Sequence, residues 1–379
     1  MALTILHVFA GATDNGRIPY GTLTLHEGAL YGTTVYGGPP YDKPPANPAN
    51  KGNLFKLSLD GFAFAVLHEF TGGSSDGWKP WSGLAIHDGL IHGSTVYGGA
   101  HGEQGGTLYE MRTDGSAFRL LHSFGDAGDG ITASTSPIRI GDSLFGLTRW
   151  GGNGSGTIYA FDLGPRTYRQ LHRFAANGSD GRFPLGTLCS ANDGFLYGLT
   201  WQGGRLNLGT LFRIHPDGSG FQTLHHFAGG SLGKFPFDTP VFDGNHFLFG
   251  TTLGDYGKGG DLGTLWRFDL ASNTFSIVHR FAGGPADSAK PNGAVVLSPD
   301  KRTLYGTTHG DTAWGGSEAG ILYQVNADGS GFRQLHQFSD APTGNTPMRT
   351  PLLVGGSLYG MTAFGGSANF GTIWRYGVG

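Results

Sequence analysis

The chain has 379 residues, of which 70 are glycine, 13% are aromatic and only 14% are charged; this balance favours short strands joined by tight turns over helices, and so many aromatic rings exclude a solvated, disordered chain. A formal charge of −3 and a pI near 6.6 exclude a global electrostatic pull toward nucleic acid or anionic membrane, so any charge-based function must be local. Cys189 is the one cysteine, which excludes a disulfide framework and a thiolate metal cluster.

Length alone suggests two or three domains, but a repeat overrides that prior. The chain opens on TILHVF, a strand pattern of Leu, His, any residue and Phe. No basic leader precedes it and no later run approaches a membrane span, so the sequence predicts a soluble protein, cytoplasmic by default and secreted if a leader has been removed. Next come GRIP with Arg17, the strand LYGTTVYGG over 30–38, a proline-rich loop from Pro39 to Lys51 and the strand GNLFKL from Gly52. The LYGTT segment returns from Ile91, Leu144, Leu196, Leu248, Leu304 and Leu358. The glycine-led segment returns from Gly106, Gly156, Gly209, Gly263, Gly320 and Gly371. The LHxF segment carries His7, His68, His122, His172, His225, His279 and His336, so each segment occurs seven times.

Each unit therefore holds four strand candidates: a short apolar run after a proline, LYGTT, GTLYR and the strand ending in LHxF. Turns such as Asp114-Gly115, Asp217-Gly218 and Asp328-Gly329 join the last two as a hairpin. Four antiparallel strands repeated seven times predict an all-β, seven-bladed β-propeller occupying residues 1–379 as one domain. The seventh unit stops at GTIWRY without its LHxF strand, while the chain begins with an LHxF strand that has no unit before it. Residues 1–9 are thus expected to complete the blade formed by 347–379 and close the ring, and a closed ring needs no oligomeric partner. The pattern resembles the Gloeo/Verruco tandem repeats over nearly the whole chain, departing from them in its LHxF strand; the resemblance implies a propeller and no particular chemistry.

Seven histidines in one repeat register cannot all serve one active site and read as structural, as do the threonines closing LYGxT and the glycine two residues before each, placed where inner strands crowd the axis. His92, His215 and His226 read as substitutions in structural slots. His101 and His309 differ, because they lie in the loops between second and third strands, where function concentrates. No zinc spacing, nucleophile elbow, phosphate loop or calcium loop is present, and no cofactor or metal is expected, although Asp126 and Asp129 could contact a cation.

In propellers, the loops entering the inner strand and those leaving the second strand share one face around the channel mouth. Six units place a basic residue before the inner strand, read here as one register: Arg17, Lys79, Arg182, Lys234, Lys290 and Arg349. The second-strand loops add Tyr36, Tyr97, Arg149 with Trp150, Trp201, Asp255 with Tyr256, His309 with Trp314, and Phe364. The long loop from Pro39 is expected to lie over the same mouth. A positive ring with aromatic faces describes a site for an anionic small molecule or oligosaccharide, with rings stacking and guanidinium forks holding carboxylate.

The reading is an enzyme on a uronate-containing carbohydrate, most concretely a β-eliminating lyase with Arg149 and Arg182 on the carboxylate, His309 as base and Tyr97 or Tyr256 as acid. The alternatives are a non-catalytic, lectin-like carbohydrate-binding propeller, an intracellular cyclase or isomerase of a small metabolite, and a protein-interaction platform. Loops that differ from unit to unit favour one asymmetric site over repeated lectin pockets.

Overall fold

The computed structural model describes residues 2–11, 15–37, 51–102, 104–126, 128–255, 260–310, 320–338 and 342–379. Seven small antiparallel sheets stand in a ring, and blade 1 begins at Arg17. In blade 4, for example, the inner strand Arg182–Ser190 pairs with Leu196–Gln202, then Thr210–Ile214, then the outer strand Gln222–His226. In blades 2 and 3 the start of the inner strand is a separate two-residue strand, Gly77–Trp78 or Gly130–Ile131, paired with the loop that leaves the second strand. Closure follows expectation: the N-terminal strand Thr4–Val8 pairs antiparallel with Thr372–Gly377 as the outer strand of blade 7.

The LYGTT and GTLYR strands are buried on both faces, so each blade packs its two neighbours through them. Seven apolar clusters result, one at each blade interface, including the closing one, where Phe9, Tyr359, Met361 and Ile373 of blade 7 meet Leu23, Leu30, Phe55 and Leu57 of blade 1. Each fully buried large side chain contributes roughly 1.5–3 kcal/mol.

The LYGTT glycine does a different job from the one expected. In all seven blades it pairs directly across the ladder with the aromatic residue of the third strand: Gly32 with Phe55, Gly93 with Tyr109, Gly146 with Tyr159, Gly198 with Phe212, Gly250 with Trp266, Gly306 with Tyr323 and Gly360 with Trp374. A Cβ at any of these glycines would run into that ring, so the residue is there to let the ring lie flat on the backbone, not to relieve crowding at the axis. The Phe of LHxF in the preceding blade then packs against the same ring, from Phe9 on Phe55 at 5.6 Å to Phe338 on Trp374 at 5.3 Å between centroids.

The LHxF histidines are interface parts, as their register requires. His7, His68, His122, His172, His225 and His279 each stack on an aromatic ring within or immediately before the next blade's outer strand, with centroids between 3.7 Å for His172 on Phe221 and 4.3 Å for His122 on Tyr168. Four of them also bond an aspartate of the following loop: His68 with Asp76, His122 with Asp129, His172 with Asp180 and His279 with Asp287. The same carboxylates accept the backbone N–H three residues after the histidine, which fixes the loop that leads to the next blade. Burial works against Asp76 and Asp180, but the histidine and backbone donors hold both carboxyls below the usual range. The loop that follows blade 4 has Leu232 where the aspartate would be, so His225 Nε2 is buried with no partner among the described residues, and burial pushes its pKa down to about 4.

Three outcomes follow. Phe9→Ala should cost about 3–5 kcal/mol, and removal of residues 1–9 should lower the melting temperature of the whole ring, since it opens the closing interface; calorimetry checks both. Gly146→Ala, which forces the Tyr159 ring off the strand, should destabilise by roughly 1–3 kcal/mol, whereas Tyr159→Phe, which removes a buried unbonded hydroxyl, should be neutral or stabilising in denaturant titrations. His225 is neutral when folded and takes a proton near its ordinary pKa when unfolded, so its share of stability is intact above pH 6.5 and lost as the pH falls toward 4. His225→Phe, which keeps the stack on Phe275, should therefore match the wild type at pH 8 and exceed it by about 2 kcal/mol at pH 5.

Candidate active site at the channel mouth

The inner strands enter the channel from one face through a strained kink. The residue before the blade proline, or its equivalent, is left-handed in every blade: Ile18, Lys79, Thr132, Phe183, Phe235, Lys290 and Thr346 have φ between 54° and 62°. Such angles are costly for β-branched and aromatic residues and for a residue preceding proline. The kink is held from outside the blade. In six cases its N–H donates to a carbonyl of the preceding blade at 2.8–2.9 Å, as Phe183 does to Ser155 and Lys290 to Leu262. The proline rings of 19, 80, 184, 236, 291 and 347 press on the left-handed or tightly packed glycine that opens the preceding blade's third strand. A rim fixed this way presents its side chains in set directions.

The basic residues do not share one register. Arg17, Arg182 and Lys234 stand two positions before the proline, while Lys79 and Lys290 stand immediately before it. Arg349 follows Pro347, which pairs with Thr362 as Pro19 does with Thr34, so Pro347 and not Pro351 is the blade proline. Arg349 accordingly sits deeper, at the position other blades fill with Gly21, Ser82, Thr135, Gly186, Asp238 and Gly293, and its carbonyl accepts from Thr307 as that of Ser82 does from Thr33.

Nor do they form an even positive ring, because most lie over aromatic faces in separate groups. Arg17, buried, lies 5.3 Å from the Tyr36 ring; Lys79 Nζ lies 5.1–5.3 Å from Tyr36, Trp78 and Tyr97, with Trp78 and Tyr97 stacked. Arg149 faces Trp201 at 5.3 Å and Trp150 at 5.8 Å, and Arg182 faces Phe183 at 4.6 Å. Lys234 is engaged by Asp255 at 2.5 Å, which removes it from the set of cations open to a ligand. Tyr256 and Trp314 lie outside the described residues, as does the loop over 38–50.

The remaining groups converge at the throat. Arg349, only 9% exposed, places its guanidinium 4.7 Å from the Tyr20 ring and 5.2 Å from the Phe237 ring. His309 hydrogen-bonds through Nε2 to the Asn292 side-chain amide. Burial, with Arg349 and then Lys290 repelling a further positive charge, pushes the His309 pKa down to about 3. Tyr20 is buried, and burial raises its pKa against the pull of Arg349, with Asp238 and Arg149 also within electrostatic reach. Asp238 is buried at the axis, where it accepts from the Ala294 N–H of blade 6 at 3.1 Å and the Thr350 hydroxyl of blade 7 at 3.3 Å. Arg349 thus sets a fixed cation on the Tyr20 phenol ring and within electrostatic reach of His309, whose Nε2 accepts from the Asn292 amide. Tyr97, expected as the acid partner of His309, stacks on Trp78 in blade 2, whereas His309 belongs to blade 6.

Sequence reading missed Tyr20, Trp81, Asp238 and Asn292. Aligning the seven units on the blade proline would have exposed them: the position after it reads Tyr20, Trp81, Ser134, Leu185, Phe237, Asn292 and Met348, a sequence with no repeat consensus, and Asp238 interrupts the small residues of the next position. The flagged carboxylates are committed elsewhere, Asp126 to His101 at 3.2 Å and Asp129 to His122, and among the described residues no group of three His, Cys, Asp or Glu side chains could hold a metal ion. At the opposite end of the channel a separate cavity of about 460 Å³ is lined by Thr22, Ser136, Thr187, Thr239 and Thr350 with apolar walls, and it contains none of the expected site residues.

No curated protein matches the chain by sequence. Among solved structures, the oligogalacturonate lyase of Vibrio parahaemolyticus is similar over 100% of this chain and 93% of its own, with a TM-score of 0.59 at 12% identity. A putative 6-phosphogluconolactonase from Bacteroides uniformis covers 82% of this chain and 84% of its own, with a TM-score of 0.52 at 14% identity. The chain spans 61% of the length of TolB from Acinetobacter baumannii, with a TM-score of 0.45. These likenesses are of fold. The Gloeobacter/Verrucomicrobia repeat matches residues 45–260 and 248–378, which together with the seven-bladed ring places the chain in the Gloeobacter/Verrucomicrobia repeat family.

Proposed function

We propose that the protein is an enzyme acting on an anionic, uronate-containing carbohydrate at the kinked mouth of the channel, most concretely a β-eliminating lyase. The observation that carries this reading is the buried Arg349 guanidinium set between the Tyr20 and Phe237 rings, with His309 in electrostatic reach of it and of Lys290. A buried cation in a low-dielectric site attracts an anion strongly, and a carboxylate held there delocalises the charge that develops when the proton on its neighbouring carbon is removed. His309 takes that proton on Nε2, whose lone pair the Asn292 amide gives up as the substrate enters; the bond from the adjacent carbon to the glycosidic oxygen breaks, a carbon–carbon double bond forms, and Tyr20 protonates the leaving oxygen. The low basicity of His309 in the free protein comes from burial and from Arg349 and Lys290; a bound carboxylate offsets the two cations and raises it, so base strength arrives with the ligand. The same fold carries an oligogalacturonate lyase in Vibrio parahaemolyticus, so the scaffold is compatible with this chemistry.

One observation favours non-catalytic carbohydrate binding instead: Lys79 and Arg182 lie over aromatic rings at the rim, an arrangement suited to holding a sugar acid without transforming it. Incubation with polyuronates, followed by ultraviolet absorbance of the unsaturated product, separates the two. Absorbance should rise with the wild type and fall by about 10²–10⁴-fold with His309→Gln and with Arg349→Met. Thermal stabilisation by uronides with no absorbance change would identify the binding module.

A further inference from the structure

Resting on that reading, we infer that blades 2 to 4 form a second anion-binding subsite at the mouth, so that the ligand is an oligosaccharide carrying carboxylates on at least two successive residues. The subsite is marked by buried donors without acceptors. Ser134, 7% exposed, has an Oγ with no hydrogen-bond partner among the described residues; so do Trp81 Nε1 and Arg182 Nε. Trp81 and Ser134 occupy the same position, one after the blade proline or its equivalent, on the adjacent inner strands of blades 2 and 3. The two strands lie close, since a Cβ added at Gly83, two residues beyond Trp81, would stand 3.0 Å from Ser136 Oγ. Arg182 follows on blade 4.

A buried donor left unbonded costs about 1–3 kcal/mol, and three on consecutive blades are a standing preference for an acceptor-rich group. The chain's own carboxylates there are already engaged: Asp76 by His68, Asp129 by His122 and Asp180 by His172. A sugar ring has a surface to rest on, since Trp150 is 39% exposed and lies 4.1 Å from Phe183 between centroids, with Arg182 on the Phe183 face. The subsite is joined to the catalytic throat by one aromatic pair, because Trp81 stacks on Tyr20 at 5.6 Å and Tyr20 carries Arg349 on its own ring. Trp81 is thus two ring contacts from the Arg349 guanidinium.

Isothermal titration with galacturonic acid, its α-1,4-linked dimer and the fully methyl-esterified dimer tests this. The dimer should bind at least about tenfold more tightly than the monomer, and the ester should lose that gain. Trp81→Phe, which keeps the stack on Tyr20, and Ser134→Ala, the smaller change, should each weaken dimer binding about tenfold and leave monomer binding unaltered. Equal affinities for monomer and dimer, or dimer binding unaffected in both variants, would overturn the second subsite while leaving the throat site standing. No binding of either free acid would overturn both.

Discussion

An aromatic ring lying flat on a glycine is the contact on which the propeller depends. At each interface the third-strand ring covers the glycine of its own blade and receives the LHxF phenylalanine of the blade before, so intrablade pairing and interblade packing are fixed by the same atoms. A ring of seven such joints tolerates no weak member, since each blade is held only by two neighbours. Chain ends therefore matter: residues 4–9 supply Phe9 and His7 to the last joint, and without them blade 7 would meet blade 1 across an unfilled gap.

The mouth is built on the opposite principle, asymmetry on a symmetric frame. Seven left-handed kinks repeat with nearly the same φ, and six of them are hooked by a hydrogen bond to the blade behind, so the backbone of the rim is uniform. The side chains it presents are not uniform. At the position after LYGxT, Val35, Val96, Leu253 and Ala363 give way to Arg149, Trp201 and His309, and at the throat a series of small residues gives way to Asp238 and Arg349. Functional groups on a scaffold that does not move lose little freedom when a ligand arrives, which favours selective binding.

Electrostatics at the throat follow from burial more than from charge number. The protein is slightly acidic, and its rim cations are mostly satisfied by aromatic faces or, for Lys234, by Asp255. Arg349 and Lys290, buried like Arg17, differ in lying within electrostatic reach of His309, in an interior where a given charge acts over a longer range than at the surface.

The amino-acid sequence by itself determined the architecture. Three segments recurring seven times set the blade, the Asp-Gly turns set its hairpins, and an orphan LHxF strand at the start matched to its absence at the end set the closure, because all of these are local patterns or simple counts. It also separated the seven LHxF histidines from chemistry by their shared register. What only the tertiary structure decided was which side chains meet. The glycine's purpose became visible through the cross-strand partner; Lys234 proved to be neutralised by a residue from another loop; Arg349 proved to stand two positions after the blade proline and not two before it. Tyr20, Asn292 and Asp238 stand on inner strands far apart in the chain and acquire a role only where the ring brings blades 1, 5, 6 and 7 to a common axis, a relation of distance that periodicity does not encode.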